Sequence, residues 1–190
     1  PQKIRRGSSK IASQRLGTLV HRLLEQWDFR LNSESFRDPL REFCRQALSG
    51  DLDDDEKNAV ILDIERLMET FLHSPSYREL QQATVIGREV PFVIPWSKEK
   101  ENGSRAHPCV MEGVMDVVYE MAGDVWVGDY KTDRVTAAQV GAYAHMYQRQ
   151  AQVYAMAASR SLGLDVKGFK LLFLRIGEMV PVLTDGNEYS

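Results

Sequence analysis

The chain has 190 residues, of which 43% are hydrophobic and 27% charged, which is typical of a single globular domain with a substantial core. Its net charge of −3 gives no global sign of a polyanionic partner, so any nucleic-acid binding must depend on local positive charge and bound metal. Two cysteines, Cys44 and Cys109, exclude a four-cysteine zinc or iron–sulfur site within these residues and favour a reducing compartment. No apolar run has transmembrane length, and we recognise no signal peptide.

Helical patterns fill the first part of the chain. Apolar residues recur at helical spacing over 9–29, and further helices are predicted over 35–48, 54–72 and 75–81. The acidic turn at 50–56 suits the N-terminus of the helix that follows it. We interpret the basic residues before position 16 as the end of a linker or, equally, as a processed terminus.

His21 lies beside the apolar stripe of the first predicted helix, with Gly17 one turn earlier. A lone histidine on a helix surface is usually just solvated. Here the small residue one turn away leaves room for a cation or a phosphate to approach. Both interpretations of His21 therefore stay open at this point.

The pattern changes to period two over 84–95, which predicts a strand. Glu89 is an acid in an otherwise apolar row of this strand. It is either a carboxylate at the strand edge that pairs with an arginine or an extra acid of a functional site. A polar stretch over 97–107 follows and predicts a hairpin loop.

A central hairpin is predicted from two strands, 109–120 and 125–131, joined by a tight turn at 122–124. Asp116 falls in the first strand, and Asp129 and Lys131 close the second on one face. Unpaired charges are costly beside an apolar surface. Two carboxylates and a lysine can share this place if a divalent cation neutralises the acids, which is the arrangement that phosphate-ester chemistry requires.

One long helix is predicted over 136–162, closed by Gly163, and strands over 168–176 and 178–183 follow, before a frayed end at 184–190. Polar and aromatic residues form one stripe on the helix: Tyr143, Tyr147, Gln150 and Tyr154. Such a stripe usually marks the edge of a core. An amide and a phenol can instead bind a phosphate or hold a carboxylate, and a tyrosine can stack on an unpaired base. The element order predicts an α/β fold with a small central mixed sheet and helices against it.

Several of these motifs resemble one known family. The resemblance is to the nuclease domain of the RecB/AddA helicase–nucleases, within the PD-(D/E)xK superfamily, and it extends from about Gly17 to Gly177. The strings that carry it, in chain order, are Gly17-Thr-Leu-Val-His21-Arg-Leu-Leu-Glu25, Arg88-Glu89-Val-Pro-Phe92, Gly113-Val-Met-Asp116, Asp129-Tyr-Lys131-Thr-Asp133 and Tyr147-x-x-Gln150-x-x-x-Tyr154.

The resemblance implies a restriction-endonuclease-like fold in one nuclease domain over 1–190, with a helical part over 16–82 and an α/β catalytic core over 83–183. It implies Mg²⁺ as the cofactor, for which Mn²⁺ or Ca²⁺ can substitute. The implied metal ligands are His21, Asp116, Asp129 and the main-chain carbonyl of Tyr130. Lys131 would be catalytic with Asp116 and Asp129, and Glu89 takes the position of the first-motif glutamate. The implied DNA-binding residues are Tyr147, Gln150, Tyr154, Arg134 and Arg149.

The function implied by the resemblance is an exonuclease, similar to exodeoxyribonuclease V, that hydrolyses single-stranded DNA to products with a 5′-phosphate during double-strand-break repair. Implied partners are DNA, ATP-driven helicase domains N-terminal to this chain, and a second helicase–nuclease subunit. No Gly-x-x-x-x-Gly-Lys-Ser/Thr phosphate loop occurs here, so these residues are not the motor. We expect a cytoplasmic location and no membrane partner.

Two other hypotheses remain. The domain is a nuclease-like fold without catalysis that binds DNA or a partner protein, or Asp116, Asp129 and Lys131 form only a buried ion-pair network. Such networks often cost stability relative to apolar residues.

Overall fold

A computed structural model of the chain describes residues 3–30, 36–48, 52–97 and 108–183. Within these ranges the secondary structure follows the predicted order of helices, strands, helix and strands. The elements are α1 Lys3–Glu25, α2 Arg37–Ala47, α3 Asp54–Leu72, α4 Pro75–Gln82, β1 Thr84–Ser97, β2 Pro108–Met121, β3 Asp124–Lys131, a 3₁₀ turn Ala137–Gln139, α5 Val140–Met146, α6 Gln148–Leu162, β4 Val166–Phe173 and β5 Glu178–Leu183.

The described strands form one five-stranded mixed sheet in the order β1-β2-β3-β4-β5, which confirms the predicted α/β class. β2 pairs antiparallel with both β1 and β3. The β2–β3 connection is a two-residue turn at Ala122 and Gly123, because Met121 pairs directly with Asp124. Both turn residues have positive φ, +55° and +86°, which is the backbone geometry that matches the twist of a tight hairpin.

The chain divides into two compact units. The first, which we call the helical unit, comprises Pro1–Gln82, Tyr130–Gly141 and Leu171–Val180. The second, the sheet unit, comprises Ala83–Asp129, Ala142–Lys170 and Pro181–Ser190.

The core of the helical unit is built where the first four helices pack on one another. Its most buried side chains are Val20, Leu24, Leu40, Ile64, Met68, Phe71 and Tyr77. The acidic turn before α3 starts the helix as predicted. Asp53 accepts a hydrogen bond from the backbone N–H of Glu56 at 2.8 Å, and the Glu56 carboxylate accepts one from the N–H of Asp53 at 3.3 Å. This reciprocal cap satisfies two backbone donors that have no partner inside the helix.

The core of the sheet unit lies where α6 packs against β1. The ring of Tyr154 meets Phe92 of β1 and Phe169 of β4 edge to face, with centroids 5.3 and 5.5 Å away. The small side chains Ala151, Ala157 and Ala158 of α6 are fully buried. These small side chains are thus part of the sheet-unit core.

The long helix predicted over 136–162 is wrong in two respects, since its first turn, Ala137–Gln139, is a 3₁₀ turn and it is broken at Tyr147. The N–H of Tyr147 donates to the carbonyl of Ala144, at 3.1 Å, and α6 starts anew at Gln148. No glycine or proline lies between 142 and 162, so no local signal announces the break. Gly163 ends α6 in the left-handed conformation, as predicted.

The first helix also differs from its predicted bounds. α1 starts at Lys3, inside the stretch interpreted as a linker, and ends at Glu25 rather than near 29. The predicted loop over 97–107 lies outside the described residues except at its first position, and the predicted frayed end at 184–190 lies wholly outside them. Among the helices that the structure describes, none has the length and apolar character needed to cross a membrane.

Candidate active site

A β-bulge decides which residues face each other across β1 and β2. It lies between Val85 and Gly87, where one extra residue of β1 shifts the strand register by one. Beyond the bulge, Glu89 and Asp116 occupy opposite positions, between the pairs Arg88–Val117 and Val90–Met115. Under the register that precedes the bulge, Asp116 would instead stand opposite Arg88. The bulge thus replaces an acid–arginine pair with a pair of acids.

The carboxylates of this pair are close together. Glu89 and Asp116 each have an oxygen within 4.8 Å of the other's, and Asp116 is buried with 7% of its surface exposed. Glu89 also has a φ of +44°, which is uncommon for a residue with a side chain, and strained residues of this kind cluster at functional sites. Two anionic groups so close repel each other unless a proton or a cation is shared between them. The pair is therefore suited to a divalent cation.

Asp129 stands at the point where the β2–β3 ladder ends. The last pair of that ladder joins Val117 to Gly128, so the next register position carries Asp116 on one strand and Asp129 on the other. Asp129 is 5% exposed, and its Oδ1 accepts a hydrogen bond from Nε2 of Gln150 at 3.1 Å. Gln150 therefore holds a carboxylate, which is one of the two roles that the sequence left open for it.

In the helical unit, His21 contacts Tyr130 at the end of β3. The His21 Nε2 lies 3.1 Å from the main-chain oxygen of Tyr130, and the two rings meet edge to face with centroids 5.9 Å apart. Two adjacent ligands of an octahedral ion with bonds of about 2.1 Å lie about 3.0 Å apart. The nitrogen and the oxygen are therefore spaced as neighbouring ligands of one ion would be.

The tautomer of His21 decides which of two interactions this nitrogen makes. With the proton on Nε2, His21 donates a hydrogen bond to the Tyr130 carbonyl. With the proton on Nδ1, the Nε2 lone pair is available to a cation. The short distance between His21 Nε2 and the Tyr130 oxygen is thus compatible with a metal-free state and with a metal-bound state.

The remaining predicted site residues are distributed over both units. Lys131 is the last residue of β3 and is half-buried. Tyr147 lies at the α5–α6 break, half-buried, and Arg149 on the first turn of α6 is exposed. The ring of Tyr154 makes the edge-to-face contacts of the sheet-unit core described above. Tyr154 is thus placed for packing in the sheet unit.

Arg134, predicted to contact DNA, donates from Nη2 to Oδ2 of Asp63 at 3.0 Å, although 77% of its side chain is exposed. The same Asp63 accepts two hydrogen bonds from Arg175, at 2.8 and 2.9 Å. Arg175, above all, holds the pKa of the Asp63 carboxyl below its usual range. No sequence motif points to Asp63 or Arg175, because the two residues are 112 positions apart.

The ligand types present fit a divalent cation. The helical unit offers the imidazole of His21 and the main-chain oxygen of Tyr130, and the sheet unit offers the opposed carboxylates of Glu89 and Asp116, with Asp129 beside them in register. Carboxylate and carbonyl oxygens are the ligands that Mg²⁺ and Mn²⁺ prefer, and imidazole is tolerated by the softer of the two.

Comparison with known proteins agrees with this chemistry. The sequence model of the PD-(D/E)XK nuclease superfamily matches residues 2–185. The A subunit of an ATP-dependent helicase/nuclease from Anoxybacillus flavithermus is 32% identical over 120 residues, which are 63% of this chain and 9% of that protein. Proteins of the same name from Staphylococcus epidermidis and Alkaliphilus oremlandii are 27% and 25% identical over 90% and 87% of this chain. Both matches cover 14% of the relative, so the chain spans only a small part of these proteins.

Proposed function

Because the chain belongs to the PD-(D/E)XK nuclease superfamily, we propose that it is the metal-dependent nuclease domain of a helicase–nuclease and hydrolyses phosphodiester bonds of DNA. The observation that carries the proposal is the opposition of Glu89 and Asp116 created by the β1 bulge. Like charges directly opposite each other on neighbouring strands destabilise a sheet. Two carboxylates at one place are also the ligands that a divalent cation prefers.

The proposed cation is Mg²⁺, with His21, Asp116, Asp129 and the Tyr130 carbonyl as its ligands and Glu89 as an additional acid. Mn²⁺ or Ca²⁺ would substitute in the same place. Such an ion, when bound, polarises a phosphate oxygen and lowers the pKa of a water molecule. The spacing of the His21 nitrogen and the Tyr130 oxygen supports the pairing of these two ligands.

Lys131 is proposed as the catalytic amine. Its ammonium group would orient the attacking water and offset the negative charge that develops on the pentacovalent phosphorus. Neighbouring acids favour the charged form of a lysine, so we assign Lys131 an electrostatic role rather than that of a general base.

Single-stranded DNA is the proposed substrate, cleaved as by an exonuclease to leave a 5′-phosphate. Tyr147 and the exposed Arg149 flank the start of α6 and are the residues best placed to stack on a base and to pair with a phosphate. Arg134 would join them only by giving up its contact with Asp63. For Gln150 and Tyr154 we propose an indirect role, through Asp129 and through the packing of α6.

The names of the relatives suggest a larger machine. They are subunits of ATP-dependent helicase/nucleases, and this chain matches 9–14% of their length. We propose that helicase domains precede the chain in its full-length protein, that a second subunit completes the complex, and that it acts in the cytoplasm in the repair of double-strand breaks.

The test compares cleavage of end-labelled single-stranded DNA by the wild type and by Lys131→Ala, with Mg²⁺ and with EDTA. We expect EDTA to abolish cleavage and Lys131→Ala to lower kcat by about 10²- to 10³-fold. Lys167→Ala is the matched control, since Lys167 is 55% exposed and pairs only weakly, at 3.8 Å, with Asp124. Undiminished cleavage by Lys131→Ala contradicts the proposed mechanism, and DNA binding without cleavage by the wild type favours the non-catalytic alternative.

A further inference from the structure

We infer that Arg175, anchored on Asp63, is a positioning residue that fixes the backbone from which Lys131 projects. This inference rests on the proposed function of Lys131. The contacts that support it all lie within the helical unit. Nothing in the motifs of the sequence assigns a role to either residue. Their role follows from the structure, because Arg175 and Asp63 together hold the segment that follows β3.

Three consecutive carbonyls at the end of β3 are each held by a hydrogen-bonding group. The oxygen of Tyr130 lies 3.1 Å from His21 Nε2, and the oxygen of Lys131 accepts from the N–H of Leu174 at 3.0 Å. The oxygen of Thr132 accepts from Nε of Arg175 at 2.8 Å. The contacts with His21 and Leu174 hold the two peptide planes that flank the Lys131 Cα, and Arg175 holds the plane that follows Thr132, where the chain leaves the sheet.

Arg175 makes full use of the planar geometry of its guanidinium. Its Nε is directed at Thr132, while Nη1 and Nη2 donate in parallel to the two oxygens of Asp63. A lysine at this position could not form these three bonds in one plane. The side chain of Arg175 is 15% exposed and that of Asp63 28%, so water screens the pair only in part.

Asp63 supplies a rigid anchor for this arrangement. It lies on α3 next to Ile64, which is fully buried, and one turn before Leu67, which is 2% exposed. Arg134, two residues beyond Thr132, donates to the same carboxylate at 3.0 Å. The loop that follows Lys131 is therefore held to α3 twice, by Arg175 through a main-chain oxygen and by Arg134 directly.

Close packing by α1 limits the same segment from another direction. A Cβ placed on Gly17 would come within 3.3 Å of Oγ1 of Thr132, so this glycine allows α1 to approach the loop. Displacing a reacting group by about 1 Å can cost about 10²-fold in rate. Constraints on the backbone of Lys131 would therefore appear in kcat even when the protein remains folded.

The decisive variant is Arg175→Lys, which keeps the charge but removes the fork that joins Thr132 to Asp63. Its matched control is Arg37→Lys, because Arg37 pairs with Glu69 of the same helix α3 at 2.8 Å but is half-exposed. We expect Arg175→Lys to lower kcat on single-stranded DNA by about 10-fold, with KM within about twofold of the wild type. The control should change neither quantity.

A second readout does not depend on activity. Reductive methylation with ¹³C labels lysine amines for NMR, and a Lys131→Arg variant identifies the Lys131 resonance. If Arg175 positions Lys131, this resonance moves in Arg175→Lys and stays in place in Arg37→Lys. Should Arg175→Lys fail to fold, Asp63→Glu moves the anchor by one methylene and is expected to shift the same resonance.

An unchanged Lys131 resonance together with an unchanged kcat per folded molecule overturns the inference. A wild type without nuclease activity refutes the proposed function instead, and in that case a shifted resonance still supports the positioning of Lys131 by Arg175. A kcat that falls only in proportion to the unfolded fraction, with the resonance in place, assigns the pair to stability alone and also overturns the inference.

Discussion

Two aspartates, one from each unit, show how surroundings separate a structural acid from one that is available to a ligand. Asp63 of the helical unit has guanidinium nitrogens at 2.8–3.0 Å from its oxygens, contributed by Arg175 and Arg134. Asp116 of the sheet unit is more deeply buried, yet a bulge places it opposite another acid, Glu89. The first carboxylate is bound by two guanidinium groups, and the second stands in register with another acid.

The difference predicts opposite costs of neutralising each side chain. Removing the charge of Asp63 leaves two arginines without their shared anionic acceptor, which should destabilise the fold. Removing the charge of Asp116 takes a carboxylate from the proposed metal site, so its main cost should fall on function. This opposition between stability and function can be tested directly.

The largest expected effect is the loss of nuclease activity in Asp116→Asn. We expect the variant to lower the rate of DNA cleavage by about 10³-fold, because a metal-ligating carboxylate is lost, with only a small change in melting temperature. Cleavage assays and thermal melts on the same preparation check both parts. Asp124→Asn is the control, since Asp124 lies at the hairpin turn and its side chain is 47% exposed. A variant that melts well below the wild type would place Asp116 with the structural acids.

A more moderate change is expected from Asp63→Asn, which should lower the free energy of unfolding by about 2 kcal/mol at neutral pH. The folded-state pKa of Asp63 lies below the ordinary value of 3.8, so its contribution is fully present above that value and is lost as the pH falls through the lower, folded-state pKa. Urea denaturation of the wild type and of Asp63→Asn, from pH 7 to pH 3, should show that their difference in free energy of unfolding narrows only below pH 3.8. A difference that is already absent at pH 7 contradicts the role of the arginine pair.

The smallest of the three expected effects on the protein is its stabilisation by a bound cation. Mn²⁺ or Ca²⁺ at tenfold its dissociation constant should stabilise the wild type by about 1.4 kcal/mol. For a chain of this size that raises the melting temperature by about 3 °C. Asp116→Asn should show little of this rise, whereas Asp63→Asn should retain it. An equal rise in the wild type and in Asp116→Asn would mean that the ion binds elsewhere.

Much of the fold followed from local patterns. The hairpin that carries Asp116 and Asp129 was predicted to within one residue at each strand end, because alternation of apolar residues and a turn at Gly123 both report on nearby backbone geometry. α3 was predicted with its observed bounds, since an acidic cap precedes a clear helical repeat. The donor types of the candidate site were likewise visible in the sequence.

Other features had no local signal. A strict two-residue alternation in β1 does not reveal the bulge that sets Glu89 opposite Asp116, because a bulge depends on the pairing with β2. The break at Tyr147 occurs without a helix-breaking residue, and the ring of Tyr154, expected on a DNA-binding face, packs between Phe92 and Phe169.

The order of amino acids was enough to establish which residue types this protein has for chemistry and which stretches form strands and helices, because periodicity and turn residues act over a few positions. It took the folded arrangement to set Glu89 against Asp116, to bring Gln150 to Asp129, and to link Asp63 through Arg175 to the end of β3. These contacts join residues 21 to 112 positions apart, and their energies depend on burial and geometry that exist only once the chain has folded.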